Sequence, residues 1–238
     1  MTETKIWKLA VPEVSLEDVF QAEGADYSKR RPQPSTEELH RRIIAEAASL
    51  VKPTAIWREV EITGTGVQEL YLEDGYKLTS KLLAKLAGTA EKLLLFAMTI
   101  GSVFEDRLTI YKGDGKISEA FALDAAGTAF ITKASMAALT RLDEIYRKEG
   151  LYTTFPLGPG HSYWSRIEDL RIILHFLKAE QIGLTLTDSN LIMPRKSVTM
   201  VMGVGQNLPD SHDQTHCNFC SLRATSQLSQ AGQKNLDN

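Results

Sequence analysis

The sequence predicts an α+β fold, and three observations predict it. Helical and strand-like segments follow one another without the regular strand-helix-strand rhythm of a doubly wound sheet. The segment Leu93-Leu94-Leu95-Phe96-Ala97-Met98 is apolar on both sides, as a central strand covered on both faces must be. The stretch from Ile117 to Lys148 keeps helical spacing throughout and is too long for a strand. With 238 residues, 43% of them hydrophobic and 24% charged, the chain has an ordinary globular composition and length enough for a core.

Taken in order, residues 1–34 show little periodicity and end in Arg31-Pro32-Gln33-Pro34, so an extended approach segment is expected. A helix follows, with Ser35 and Glu38 spaced as a capping box and Leu39, Ile43, Ile44, Ala47, Leu50 and Val51 on its apolar side until Pro53. Ala55 to Ile62 alternates, with Ile56, Val60 and Ile62 on one face of a half-buried strand. Gly64 and Gly66 break it, and residues 67–73 read as a second short strand. Leu78, Leu82, Leu83 and Leu86 give an amphipathic helix that ends near Gly88. After the central strand, Val103 to Tyr111 reads as helix and Gly113-Asp114-Gly115 as a turn. The long helix then presents Ala122, Ala125, Ala126 and Ala129 on one face, small enough for another element to approach closely. Residues 151–165 form a loop, a helix returns through Leu177, and strands are expected near Leu184 to Thr187 and from Ser197 to Val204. Beyond residue 206 the chain turns polar. The expected organisation is an N-terminal extended segment (1–34), one α+β domain (35–205) and a polar C-terminal tail (206–238).

Composition narrows the function classes. A net charge of -3 offers no basic field for a nucleic-acid backbone. Arg30, Arg31, Arg41 and Arg42 cluster at a helix whose other face is apolar, which reads as a solvated face. No run approaches the roughly 20 apolar residues of a membrane span, and Met1 to Leu9 alternates rather than forming a leader core. Both cysteines, Cys217 and Cys220, sit three apart near the C-terminus. Thiols that close in sequence cannot staple distant elements, so a cytoplasmic setting is expected.

No hydrolase, kinase, zinc-protease or dinucleotide motif is present. Two regions carry the candidate chemistry. The first is Phe155-Pro156-Leu157-Gly158-Pro159-Gly160-His161-Ser162-Tyr163-Trp164, where glycines allow close backbone approach and aromatic rings offer flat apolar surface. A ligand site and a structural loop capping the core both fit that composition. The second is His216-Cys217-Asn218-Phe219-Cys220, whose Cys217 and Cys220 have the spacing of two thiolates on one zinc or iron. His212 and His216 could complete a zinc site, and a plain reduced thiol pair is the alternative.

The loop Gly158 to Trp164 resembles the Pro-Gly-Tyr loop of the activation domain of cobalamin-dependent methionine synthase. About twenty residues on, Ile182-Gly183-Leu184-Thr185-Leu186-Thr187-Asp188-Ser189 and Met193-Pro194-Arg195-Lys196-Ser197-Val198 resemble that family's next conserved run. The likeness spans roughly residues 90–222 and is closer to stand-alone relatives of the domain, which lack the methyltransferase modules. It implies a twisted, mainly antiparallel sheet flanked by helices. It also implies a role in reactivating cob(II)alamin on a corrinoid-binding methyltransferase partner, with S-adenosylmethionine as methyl donor and a protein supplying electrons. Methyl transfer removes the reduced cofactor and so draws an unfavourable electron transfer forward. The protein's part is binding and positioning, and no catalytic acid or base is expected.

On this resemblance Gly158, Pro159, Gly160, His161, Tyr163 and Trp164 are the expected cofactor-binding residues. Cys217 and Cys220 are the expected ligands of a zinc ion or iron-sulfur cluster. Two departures stand out. Pro156 occupies the place of an arginine that could fork onto a carboxylate, and His161 that of the family's tyrosine. Asp124, in the long helix, is a candidate for the acidic residues the family places on S-adenosylmethionine. A non-catalytic corrinoid carrier or chaperone is the alternative function. A free-standing S-adenosylmethionine-dependent methyltransferase is disfavoured by the absence of a glycine-rich strand-turn-helix motif.

Overall fold

The computed structural model describes residues 3–24, 32–209, 214 and 216–219. Its spine is a seven-stranded sheet in which every pairing is antiparallel. The strands are β1 (Lys5–Lys8), β2 (Thr54–Thr65), β3 (Glu69–Leu72), β4 (Lys77–Thr79), β5 (Lys92–Thr99), β6 (Tyr152–Thr153) and β9 (Ser197–Gly205). They lie in the order β4-β3-β2-β5-β9-β6, with β1 pairing the first half of β2. A separate two-stranded ribbon joins β7 (Thr185–Leu186) to β8 (Ile192–Met193).

β5 is the central strand its sequence predicts, and its alternate residues serve two different cores. Leu94, Phe96 and Met98 face α2 (Pro34–Leu50), α4 (Val103–Gly113) and α5 (Ile117–Lys148), meeting a cluster that includes Ile43, Phe104 and Phe130. Leu93, Leu95 and Ala97 face α3 (Lys81–Ala87) and α6 (Asp169–Leu177), meeting a cluster that includes Leu83, Ile173 and Leu177. The small residues of α5 let helices close in: Ala122, Ala125, Ala126 and Ala129 are all buried. At Gly127 a Cβ would lie 2.5 Å from the Phe104 ring.

Several expectations need correction. Residues 1–34 are not merely an extended approach. Lys5–Lys8 hydrogen-bonds to β2, and α1 (Leu16–Glu23) packs Val19 into the core. Ser15 and Asp18 form a reciprocal capping box there, the Asp18 carboxylate accepting from the Ser15 N–H at 2.7 Å. The domain boundary expected at residue 35 therefore falls inside a packed unit. The box expected at Ser35 and Glu38 is absent, because Pro34, with no N–H to satisfy, already occupies the first turn after Gln33. Leu78 belongs to β4 rather than to the following helix, which Ser80 caps by accepting from the Leu83 N–H at 3.2 Å. Arg41 and Arg42 lie on an exposed face, paired with Glu37 at 3.9 Å and Glu119 at 3.5 Å. Arg30 and Arg31 lie outside the described residues. Among the described residues no helix is long and apolar enough to cross a membrane.

Candidate functional site

The aromatic loop is hung on the outer edge of β9. Thr154 donates its N–H to the Gly203 carbonyl, and its hydroxyl accepts from the Gly203 N–H, both at 2.9 Å. Leu157 and Val201 then exchange both backbone hydrogen bonds, at 3.0 and 2.7 Å. The first half of the loop thus continues β6 as an edge strand. Gly158 is needed by that packing, since a Cβ there would lie 2.9 Å from the Thr199 carbonyl oxygen. Gly160, at φ +94°, then turns the chain in a conformation that L side chains rarely adopt.

Residues 160–164 close on themselves. The Gly160 N–H donates to the Trp164 carbonyl and the Trp164 N–H to the His161 carbonyl, both at 2.8 Å. Within this turn the rings of His161 and Tyr163 stack nearly parallel, 5.0 Å apart and tilted by 6°. His161 is exposed at the turn's outer side and Tyr163 is half-buried. Where its ring is covered it loses water, and burial pushes the imidazole below its ordinary pKa, favouring the neutral form.

Trp164 points the other way. It is 1% exposed, packs in the core beneath α6 and donates its indole N–H to Asp169 at 2.9 Å. Of the expected cofactor-binding residues, Trp164 is thus the one that holds the loop from behind. The accessible aromatic surface comes from His161, Tyr163 and the half-buried Phe155.

Asp169 is the buckle. Itself buried, at the start of α6, it accepts from the Trp164 indole and from the Thr79 N–H of β4 at 2.8 Å, and pairs with Arg166 at 3.2 Å. Burial raises its pKa, and the hydrogen bonds and Arg166 only partly oppose that. Sequence reading passes over Asp169 as a first-turn helix acid. Its one signal is its place five residues after Trp164, within reach of that indole.

The polar tail returns to the loop. The ring of Phe219, in α7 (His216–Phe219), lies 5.9 Å from Phe155 and 6.2 Å from Tyr163. A single aromatic residue in an otherwise polar tail is the signal for this contact. Cys217 belongs to α7, while Cys220 and His212 lie outside the described residues. Among the described residues no three His, Cys, Asp or Glu side chains gather as a metal site. Asp124 is half-exposed on α5, and Lys196 binds it at 3.0 Å while donating to Thr128 at 2.8 Å.

The loop can therefore offer a flat, largely apolar face. It carries no lysine or arginine between Thr154 and Trp164, so it has no cation for a carboxylate. Two grooves, of about 250 and 290 Å³, lie elsewhere, and neither is lined by a loop residue.

No protein-family model matches the chain, and no curated protein matches it by sequence. Among solved structures, a crystal structure of the MetH reactivation domain bound to AdoHcy is similar, with a TM-score of 0.63 and 12% sequence identity. The match covers 97% of this chain and 88% of that one. This chain thus has the fold of the MetH reactivation domain, a mainly antiparallel sheet flanked by helices.

Proposed function

We propose that this protein is an accessory factor for a corrinoid-dependent methyltransferase, assisting the reductive reactivation of cob(II)alamin carried by a partner protein. The observation that carries this reading is the fold it shares, over nearly its whole length, with a domain named for reactivation. The stacked rings of His161 and Tyr163 support it, since they give a planar cofactor flat surface to meet.

In this reading the corrinoid supplies the redox and methyl-transfer chemistry. The chain binds and orients. The stacked rings of His161 and Tyr163 present the apolar contact, and a neutral His161 adds no charge to desolvate there. The Trp164–Asp169–Thr79 hydrogen bonds keep that contact from shifting when a partner docks. S-adenosylmethionine as methyl donor is part of the proposal, supported by the AdoHcy found in the neighbour of like fold. So are an electron-donating protein partner and a zinc or iron-sulfur site using Cys217 and Cys220. Metal and acid-labile sulfide analysis of the purified chain tests that site.

One observation favours the second reading, a carrier or chaperone that binds corrinoid without S-adenosylmethionine. Pro156 stands where the resembling family has its arginine, and residues 154–164 hold no lysine or arginine. Separate titrations with cob(II)alamin and S-adenosylmethionine distinguish the readings. Binding of both supports reductive methylation, and corrinoid binding alone supports the carrier. In either case Tyr163→Ala weakens corrinoid binding about tenfold, the loss expected for a base-sized stacking contact. Unchanged corrinoid binding by Tyr163→Ala and His161→Ala overturns the loop assignment.

A further inference from the structure

The larger of the two grooves, of about 290 Å³, lies at the end of the sheet where β2 and β9 begin and β5 stops. Three connections converge on it. Leu50 and Lys52 come from the passage of α2 into β2, and Gly101, Ser102 and Val103 from that of β5 into α4. Ile182-Gly183 and Pro194 come from either side of the β7–β8 ribbon, so the sequence run after the aromatic loop closes around this groove. Bonds made elsewhere fix these connections. The Lys52 N–H donates to the Ile100 carbonyl at 2.8 Å, and the Ile100 N–H to the Lys196 carbonyl at 3.2 Å. The Ser197 hydroxyl donates to the Pro194 carbonyl at 2.6 Å, and the Arg195 N–H donates to the Glu105 carboxylate. The groove is thus preformed, as small-molecule sites usually are.

We propose that this groove binds an aliphatic monocarboxylate, with its head group on Lys52 and Ser102 and its chain along the inner walls. The lining selects that chemistry by exclusion. Leu50, Val103, Ile182 and Pro194 make the walls aliphatic, and with no aromatic ring among the lining residues a flat ligand finds nothing to stack on. No lining side chain is acidic, so neither a metal ion nor an amine gains a carboxylate partner. Lys52 is the one charged lining residue, and among the described residues no carboxylate lies within ion-pair distance of its ammonium. One cation balances one negative charge; a phosphate dianion or a dicarboxylate would leave a second charge against aliphatic walls. Ser102 adds a hydroxyl that is not engaged in capping α4. Lys52 is exposed, which puts the head group at the mouth and the chain inside. The volume sits near the lower bound of about 300 Å³ for small-molecule sites, which limits the chain to a short one. None of the lining residues falls between Thr154 and Trp164, so the site stands independently of the loop and its proposed function.

The test is an amide NMR titration of the full-length chain with hexanoate. The Gly101, Ser102 and Gly183 signals shift together and saturate. 1-Hexanol and hexylammonium share the chain but lack the carboxylate, and bind at least about fivefold more weakly. Lys52→Gln weakens hexanoate binding about fivefold, as expected of a partly exposed ion pair, and Lys52→Arg, which keeps the charge, binds as wild type does. Butanoate, two methylenes shorter, binds about tenfold more weakly because it buries less apolar surface. The proposal is overturned by an absence of saturable shifts, by shifts confined to residues away from the groove, or by hexanol binding as tightly as hexanoate. Undiminished binding by Lys52→Gln overturns the head-group assignment, and equal binding of butanoate and hexanoate overturns the placement of the chain.

Discussion

Asp169 holds the loop through opposing effects on one carboxylate. Burial disfavours its charge, while the Thr79 N–H, the Trp164 indole and Arg166 favour it, and burial wins. Its folded pKa is therefore above the ordinary 3.8. The stability it contributes is complete below that unfolded value and is lost as pH rises through the folded one. Asp169→Asn, which cannot titrate, removes this slope. Denaturation midpoints measured across acid to neutral pH should show wild type losing ground to the variant as pH rises. Asp169→Ala leaves the Trp164 indole and the Thr79 amide buried without an acceptor, costing about 2–4 kcal/mol in the same measurement. His161 runs oppositely. Its folded pKa lies below 6.5, so its contribution is complete above 6.5 and lost as pH falls through the depressed value. An NMR titration of the imidazole should give a midpoint below 6.5, and a midpoint at or above it would contradict the covered ring.

At the scale of elements, α5 shows how close approach is written in small residues. Glycine is a poor helix former, so Gly127→Ala should favour the isolated helix by about 1 kcal/mol. Packing opposes this, because the added Cβ lies 2.5 Å from the Phe104 ring, a core aromatic with no room to retreat. The expected net effect is destabilisation by about 1–3 kcal/mol in denaturant unfolding. Gly113 closes α4 under the opposite conditions: a Cβ there would meet nothing within 4 Å, and its backbone lies outside the left-handed region. Gly113→Ala should stabilise by about 0.4–1 kcal/mol, mainly by restricting the unfolded chain. The long helix was legible over Ile117 to Lys148, residue for residue, because its period never breaks. The strand β1 was not legible. Met1 to Leu9 alternates, but with three of the four residues of β1 exposed no buried face marks a strand, and only their pairing with β2 makes them one.

At the scale of the whole molecule, the N-terminal segment closes the same core as the long helix. Trp7 lies edge-on to Trp57 at 5.6 Å, Val19 is fully buried, and Lys133 on α5 pairs with Asp18 at 2.6 Å. Removing residues 1–24 uncovers the core face that Val19 and Phe20 fill and should cost about 3–6 kcal/mol. A single, markedly lowered thermal transition is expected. Unfolding at the wild-type temperature would instead mean that the segment is an appendage.

The sequence by itself determined the α+β class, the doubly covered central strand, the long alanine-faced helix and the aromatic loop, because each depends on local period or composition. The tertiary structure alone decided which loop rings face outward. Trp164 and Tyr163 are neighbours of similar character, yet Trp164 turns into the core because Asp169 offers its indole an acceptor there. It also decided that the tail returns, since Phe219 finds Phe155 and Tyr163 only once β9 has brought the loop to the sheet edge. Contacts between residues far apart in the chain leave no period behind them, so only the folded molecule could reveal them.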